Sequence, residues 1–189
     1  MLVYMIRHGE SENNAKRIHS GWAQIPLTQK GIEDAQKAKK TLDGVSFDRI
    51  YASDLLRARQ TCATVYPDVE PTLVPALREI HVGGAQSRSR AECEALFGEP
   101  YIKGRAELDF RAIGGERWSD HLARVSDFLR SLEQESFGRV ALFCHEGSIH
   151  CAYNFVKKTS EFEKIPVSNG GVCVFEYANG EWSLLNWDM

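Results

Sequence analysis

The 189-residue chain contains no apolar run close to the roughly 20 residues that cross a bilayer, so a transmembrane helix is excluded. It also lacks internal repeats, low-complexity tracts and any Pro/Ser-rich linker, so nothing marks a seam between domains. An excess of one charge is missing too. The 23 basic and 26 acidic residues leave a net charge of −3, which does not suit a protein whose main task is to coat nucleic acid. Cysteine is sparse and scattered. Cys62, Cys93, Cys144, Cys151 and Cys173 are odd in number and contain no C-x-x-C pair, which argues against a disulfide scaffold or a cysteine zinc site. There is no N-x-[ST] sequon, no Walker loop and no evident aspartate cluster for Mg²⁺. The opening MLVYMIRHGE has neither a basic start nor a small-residue cleavage site. The expectation is a protein of the reducing cytoplasm, with no membrane or nucleic-acid partner and no cofactor.

What is present is a regular alternation. Hydrophobic residues are 43% and charged residues 26% of the chain, proportions that suit one globular unit with a real core. Leu2 to Ile6, Phe47 to Ala52, Thr72 to Val74 and Arg139 to Cys144 are short apolar runs that predict strands. Thr28 predicts a helix cap before Ile32, Ala35, Ala38 and Leu42, closed by Gly44. Ser53 sits where a cap would open a helix through Leu55, Ala58, Cys62 and Val65. Further helices are expected from Trp118 to Leu132 and through Ile149, Ala152 and Val156, and a closing hairpin is expected to turn at Asn179-Gly180. Residues 80–115 are rich in glycine and charge, and read as a cap-like excursion from a single domain spanning 1–189, with one short helix near Ala91 to Phe97. Strand alternating with helix predicts an α/β fold with a mostly parallel sheet, whose ligands bind beyond the carboxyl ends of the strands.

That rule directs attention to the strand ends. Arg7 and His8 follow the first strand, Arg57 lies in the helix after the second, Glu79 follows the third, and His145 follows the central one. Together they suit a phosphate monoester. Arginine forks match phosphate oxygens and stay charged. An imidazole can carry a phosphoryl group, a second imidazole can donate to its oxygens, and a carboxylic acid can protonate the leaving oxygen. Three other readings stay open on the residues alone. His8, His145 and Glu79 could hold zinc, although two arginines beside a dication cost electrostatic energy. Cys144 precedes a strand-to-helix turn and could be a thiolate nucleophile, although no arginine follows six residues on. The same residues could also bind a phospho-ligand without turning it over.

Arg7-His8-Gly9-Glu10-Ser11-Glu12-Asn13-Asn14 resembles the signature of the histidine phosphatase superfamily, in its phosphoglycerate-mutase-like branch. The resemblance continues through Ser20-Gly21-Trp22, Pro26-Leu27-Thr28, Ala52-Ser53-Asp54-Leu55, Arg57-Ala58, Leu77-Arg78-Glu79-Ile80, Gly114-Gly115-Glu116, Cys144-His145-Glu146-Gly147 and Ser168-Asn169-Gly170. It implies a three-layer α/β/α sandwich, no metal, His8 as the phosphorylated nucleophile and Glu79 as acid and base. Arg7, Arg57 and His145 would form the phosphate pocket. Asn14 would reach a phosphate oxygen, Gly147 would bring its amide near the substrate, and Ser20 and Gly21 would line the entrance. Where mutases of the family carry an arginine and then a tyrosine after the catalytic glutamate, this chain has Ile80 and Val82, so water becomes the expected acceptor. The Leu-Arg-Glu-Ile run is similar to α-ribazole phosphatases, but the following Gly83-Gly84-Ala85-Gln86-Ser87 departs from them. A small phosphorylated molecule is the expected substrate. Arg88, Arg90 and Lys103 could favour an extra anionic group on it, although a solvated basic loop is the plainer reading of those three.

Overall fold

The fold follows from one strand that is apolar on both sides. In the computed structural model, which describes residues 1–189, β4 (Arg139–Cys144) is fully buried from Val140 onward. A strand buried on both faces reads as a continuous apolar run, and it belongs in the middle of a covered sheet. β1 (Leu2–Arg7) lies parallel to it on one side, and β2 (Arg49–Ala52) on the other. β3 (Thr72–Leu73) extends the parallel part, while β5 (Val172–Ala178) and β6 (Glu181–Asn186) add an antiparallel hairpin beyond β1. The sheet order is β3-β2-β4-β1-β5-β6. Both edges are blunt: β3 is two exposed residues between Pro71 and Pro75, and β6 buries none of its side chains completely.

Helices cover both faces, giving the three-layer α/β/α sandwich. On one face, α6 (Trp118–Leu132) and α7 (Glu146–Lys157) pack Val125, Leu129, Ile149 and Ala152 onto Val3, Met5, Leu142 and Phe175. On the other, α2 (Gln29–Thr41) and α3 (Leu56–Val65) pack Ala38, Cys62 and Val65 onto Ile6, Ala141, Phe143 and Val174. Thr28 does cap α2, accepting the Gly31 N–H at 3.0 Å, and the short α1 (Glu12–Lys16) lies between β1 and α2. No helix is long and apolar enough to cross a membrane.

Three sequence expectations need correction. The excursion holds two helices, α4 (Arg90–Phe97) and α5 (Glu99–Glu107), flanked by 3-10 turns at Gly83–Ala85 and Arg111–Ile113. Pro100 and Gly104 hide the helical period of α5, although proline is well tolerated in a first turn. The excursion has its own small core of Val82, Ala85, Cys93, Tyr101 and Phe110. Ser53 does not cap α3: Leu55 occupies that position and no side chain caps the helix. Glu79 does not follow β3 directly but comes after a 3-10 turn at Pro75–Leu77.

Candidate active site

Strand register brings the two histidines together. Arg7 of β1 pairs with Cys144 of β4, so the next residues, His8 and His145, leave the sheet side by side. The His8 N–H donates to the Cys144 carbonyl at 3.0 Å, and the two imidazole centroids lie 5.1 Å apart. The loop after β1 is pressed against the start of α2. A Cβ on Gly9 would sit 2.0 Å from the Gly31 carbonyl oxygen, so only glycine allows this approach.

The hydrogen bonds of His8 fix its tautomer. Nδ1 lies 2.7 Å from the Gly9 carbonyl, which can only accept, so Nδ1 carries the proton. Nε2 is then a lone pair, and the Arg57 Nε–H donates to it at 3.2 Å. Burial, then Arg57, then Arg7 push the His8 pKa well below its ordinary value, against the opposing Gly9 carbonyl. At neutral pH the ring is therefore uncharged, with its Nε2 lone pair facing a guanidinium.

Arg57 is 1% exposed, and α3 delivers it from its first turn. Its other nitrogens donate to the Gly21 carbonyl at 2.9 Å and the Ala23 carbonyl at 3.1 Å. Burial lowers its pKa to about 10, with Arg7 adding to the effect and Glu79 opposing it, so it stays cationic at neutral pH. Arg7 is held by the Val167 carbonyl and by Glu146 at 3.3 Å, and its buried Nε has no partner. His145 contacts the Ser53 hydroxyl through Nε2 at 2.9 Å, and its buried Nδ1 has no protein partner. Ser53 accepts the Leu55 N–H at 3.4 Å, and its own proton has no acceptor in reach other than Nε2. That arrangement leaves the His145 proton on Nδ1 as a free donor. Burial first, then Arg57 and His8, hold the His145 pKa well below its ordinary value.

Glu79 is held by backbone. Its carboxylate accepts the Ile80 N–H at 2.8 Å and the Gly147 N–H at 3.2 Å. The Gly147 amide thus holds Glu79, and Gly147 also lines the cavity beside that carboxylate. A Cβ at Gly147 would lie 2.1 Å from Glu79 Oε1. The segment carrying Glu79 is clamped by Arg124 of α6. Its guanidinium donates to the carbonyls of Ala76 and Arg78, both at 2.7 Å, and of Glu79 at 2.9 Å. It also pairs with both carboxylate oxygens of Glu116, at 2.7 and 3.2 Å. The Trp22 indole adds a further donor to the Glu79 carbonyl at 2.7 Å.

The remaining sequence candidates have plainer surroundings. Asn14 closes the capping box of α1, accepting the Ser11 N–H and hydroxyl through Oδ1 at 3.1 and 2.9 Å, and its Nδ2 has no protein partner. Gly21 anchors Arg57 through its carbonyl, and the buried Ser20 hydroxyl is unpartnered. Cys144 is wholly buried, and burial pushes its thiol well above the ordinary range, which disfavours a thiolate nucleophile. Arg88 donates to the Gly84 and Gln86 carbonyls, Arg90 pairs with Glu94, and Lys103 lines a different hollow on the far side of α5 from Arg105. Ser53, Trp22, Glu116 and Arg124 belong to the site without standing out as site residues in the sequence. Trp22, Ser53 and Glu116 lie within blocks that carry the family resemblance, which is their only local signal, and Arg124 has none.

Residues 3–189 match the family model of the histidine phosphatase superfamily (branch 1). The chain belongs to that superfamily. Among curated members, it is 34% identical over 132 residues to a 2,3-bisphosphoglycerate-dependent phosphoglycerate mutase of Methylobacterium radiotolerans, covering 66% of this chain and 62% of that one. It is 30% identical over 187 residues to a broad-specificity phosphatase of Saccharomyces cerevisiae, covering 93% and 79%. Its match therefore spans less than two thirds of the mutases' length but most of the yeast phosphatase. Among solved structures of the superfamily, the α-ribazole phosphatase of Shigella flexneri superposes with a TM-score of 0.89 at 26% identity, covering all of this chain and 96% of that one.

Proposed function

We propose that the protein is a metal-independent phosphatase of small phosphomonoesters that works through a phosphohistidine on His8. The observation that carries this reading is the pair of hydrogen bonds on His8, Nδ1 to Gly9 and Nε2 from Arg57, which leaves one nucleophilic lone pair beside a fixed cation. A phosphate dianion entering there meets an Arg57 that has no carboxylate partner, and shares Arg7 with Glu146. His8 Nε2 attacks phosphorus while Arg7, Arg57 and the His145 Nδ1 proton neutralise the equatorial oxygens, the main burden in phosphoryl transfer. Glu79, in its acid form, gives its proton to the leaving oxygen. Its carboxylate then takes a proton from water, which attacks the phosphohistidine and releases phosphate. Asn14 Nδ2 is a further donor for a phosphate oxygen, and Ser20 and Gly21 form the approach. Ile80 and Val82 beside Glu79 are apolar and lack the grip on a returning donor that a mutase needs, so water is the acceptor. Five free, buried cysteines agree with a cytoplasmic setting.

The test is hydrolysis of p-nitrophenyl phosphate by wild type and His8→Ala, both in EDTA, with acid-labile, base-stable phosphate sought on the denatured protein. Turnover and labelling in the wild type alone are expected. Undiminished turnover in His8→Ala overturns the assignment.

A further inference from the structure

A cavity of about 440 Å³ opens beside Glu79 and Gly147. A leaving group protonated by Glu79 would extend into it, so any selectivity assigned to it rests on the phosphatase reading. Its apolar wall includes Phe110, Trp118 and Phe162, with Trp118 and Phe162 meeting edge to face at 4.9 Å. Four formally charged side chains line it: Glu79, Glu146, Arg105 and Lys164. The two carboxylates are committed, Glu79 to two backbone N–H groups and Glu146 to Arg7. The two cations are not. Neither Arg105 of α5 nor Lys164, in the segment between α7 and β5, forms an ion pair, and Arg105 is close enough to lower the pKa of the half-buried His19 after burial has done so. A pocket with an aromatic wall and two uncommitted cations is unsuited to a neutral polar leaving group.

We propose that this cavity selects phosphomonoesters whose leaving group carries a second anion, a carboxylate or a second phosphate, on a compact apolar body, with Arg105 and Lys164 as the specificity-determining residues. Both cations are exposed, so their attraction is moderate and sensitive to salt.

Three aryl phosphates of similar shape test this on the full chain: 4-carboxyphenyl phosphate, its neutral 4-carbamoyl analogue, and benzene-1,4-bisphosphate. In wild type at low salt, kcat/KM for one of the two esters bearing a second anion should exceed that of the carbamoyl ester by about tenfold. The larger ratio tells carboxylate from phosphate. In the double variant Arg105→Gln/Lys164→Gln, and in wild type at high salt, the ratio should fall towards one. Equal kcat/KM for all three in wild type, or a ratio untouched by the double substitution, overturns the proposal while leaving the phosphatase reading intact. Absence of turnover of every ester in wild type overturns both.

Discussion

Arg124 touches no substrate in the proposed reaction, yet Arg124→Lys should damage catalysis in a way that depends on the leaving group. The guanidinium makes five contacts of 2.7 to 3.2 Å: three to carbonyls of residues 76, 78 and 79, and two to Glu116. An ammonium is a single point with three donors and cannot span the three carbonyls and the carboxylate together. At least two contacts are lost. Hydrogen bonds to a charged group contribute about 1.5–3 kcal/mol each, and the Arg124 side chain is 20% exposed, so the lower value applies and about 3 kcal/mol of stability should go. For a chain of this size that is a fall in Tm of about 6–12 °C. The freed 76–79 segment then holds Glu79 less firmly. A displacement of about 1 Å costs about 10²-fold, which lies within what a general acid contributes. The assay is kcat/KM on an alkyl phosphate and on p-nitrophenyl phosphate. The alkoxide needs the proton from Glu79; nitrophenolate leaves largely unaided. The alkyl ester should lose about 10²-fold and the nitrophenyl ester only a few-fold. Equal losses on both esters, or an unchanged Tm, would refute the positioning role.

Arg57→Gln should lower kcat/KM by about 10²–10³, because it removes a preorganised cation worth about 3–4 kcal/mol in the transition state; a drop under tenfold in steady-state assays would contradict that. Gly147→Ala should raise intrinsic helix propensity by up to about 1 kcal/mol, yet it drives a methyl into Glu79 Oε1, so activity should fall while stability falls little or not at all; retained activity would show that Glu79 can move freely. Stability should also depend on pH through His8, His121 and His145, whose pKa values burial holds well below the ordinary one. Below about pH 6.5 the unfolded chain takes up protons that the folded chain refuses, so stability falls with falling pH, by up to about 1.4 kcal/mol per pH unit per histidine, and is flat above pH 7. Urea unfolding at pH 7.5, 6.5 and 5.5 checks the sign. Equal stability at all three values would mean that the rings are protonated when folded.

The parts legible in the sequence are those set by short-range pattern. The run from Arg139 to Cys144 matches β4 residue for residue, because a strand buried on both faces is apolar throughout. Once that strand is central and parallel to the first, His8 and His145 must emerge together, and the strand-end rule finds them without a contact map. Ser53 misleads for a physical reason: serine two residues before a helix satisfies the local cap pattern equally well, and only register with Phe143 turns its hydroxyl towards His145. The Arg124 clamp is invisible because its partners, carbonyls at 76, 78 and 79, have no side-chain signature and lie 45 or more residues away. The excursion is the least legible region because its small core is built from helices interrupted by Gly98, Pro100 and Gly104.

This division follows the chemistry. Phosphate has one shape and one charge, so the groups that meet it sit at strand ends fixed by sheet register, and a periodic sequence reports register well. Leaving groups differ, so the groups facing them sit where the sheet imposes nothing. Arg105 on α5 and Lys164 in the segment before β5 share no element and no spacing, and the sequence offers Arg88, Arg90 and Lys103 with equal plausibility. Only packing separates the two sets. Arg88 and Arg90 are held by local carbonyls and by Glu94, and the unpaired Lys103 lines another hollow, whereas Arg105 and Lys164 are left unpaired in the cavity that adjoins Glu79. A cation already satisfied by its neighbours has little left for a ligand, so absence of a partner together with a place in the cavity beside Glu79, more than charge alone, marks the two residues that should decide which ester is hydrolysed.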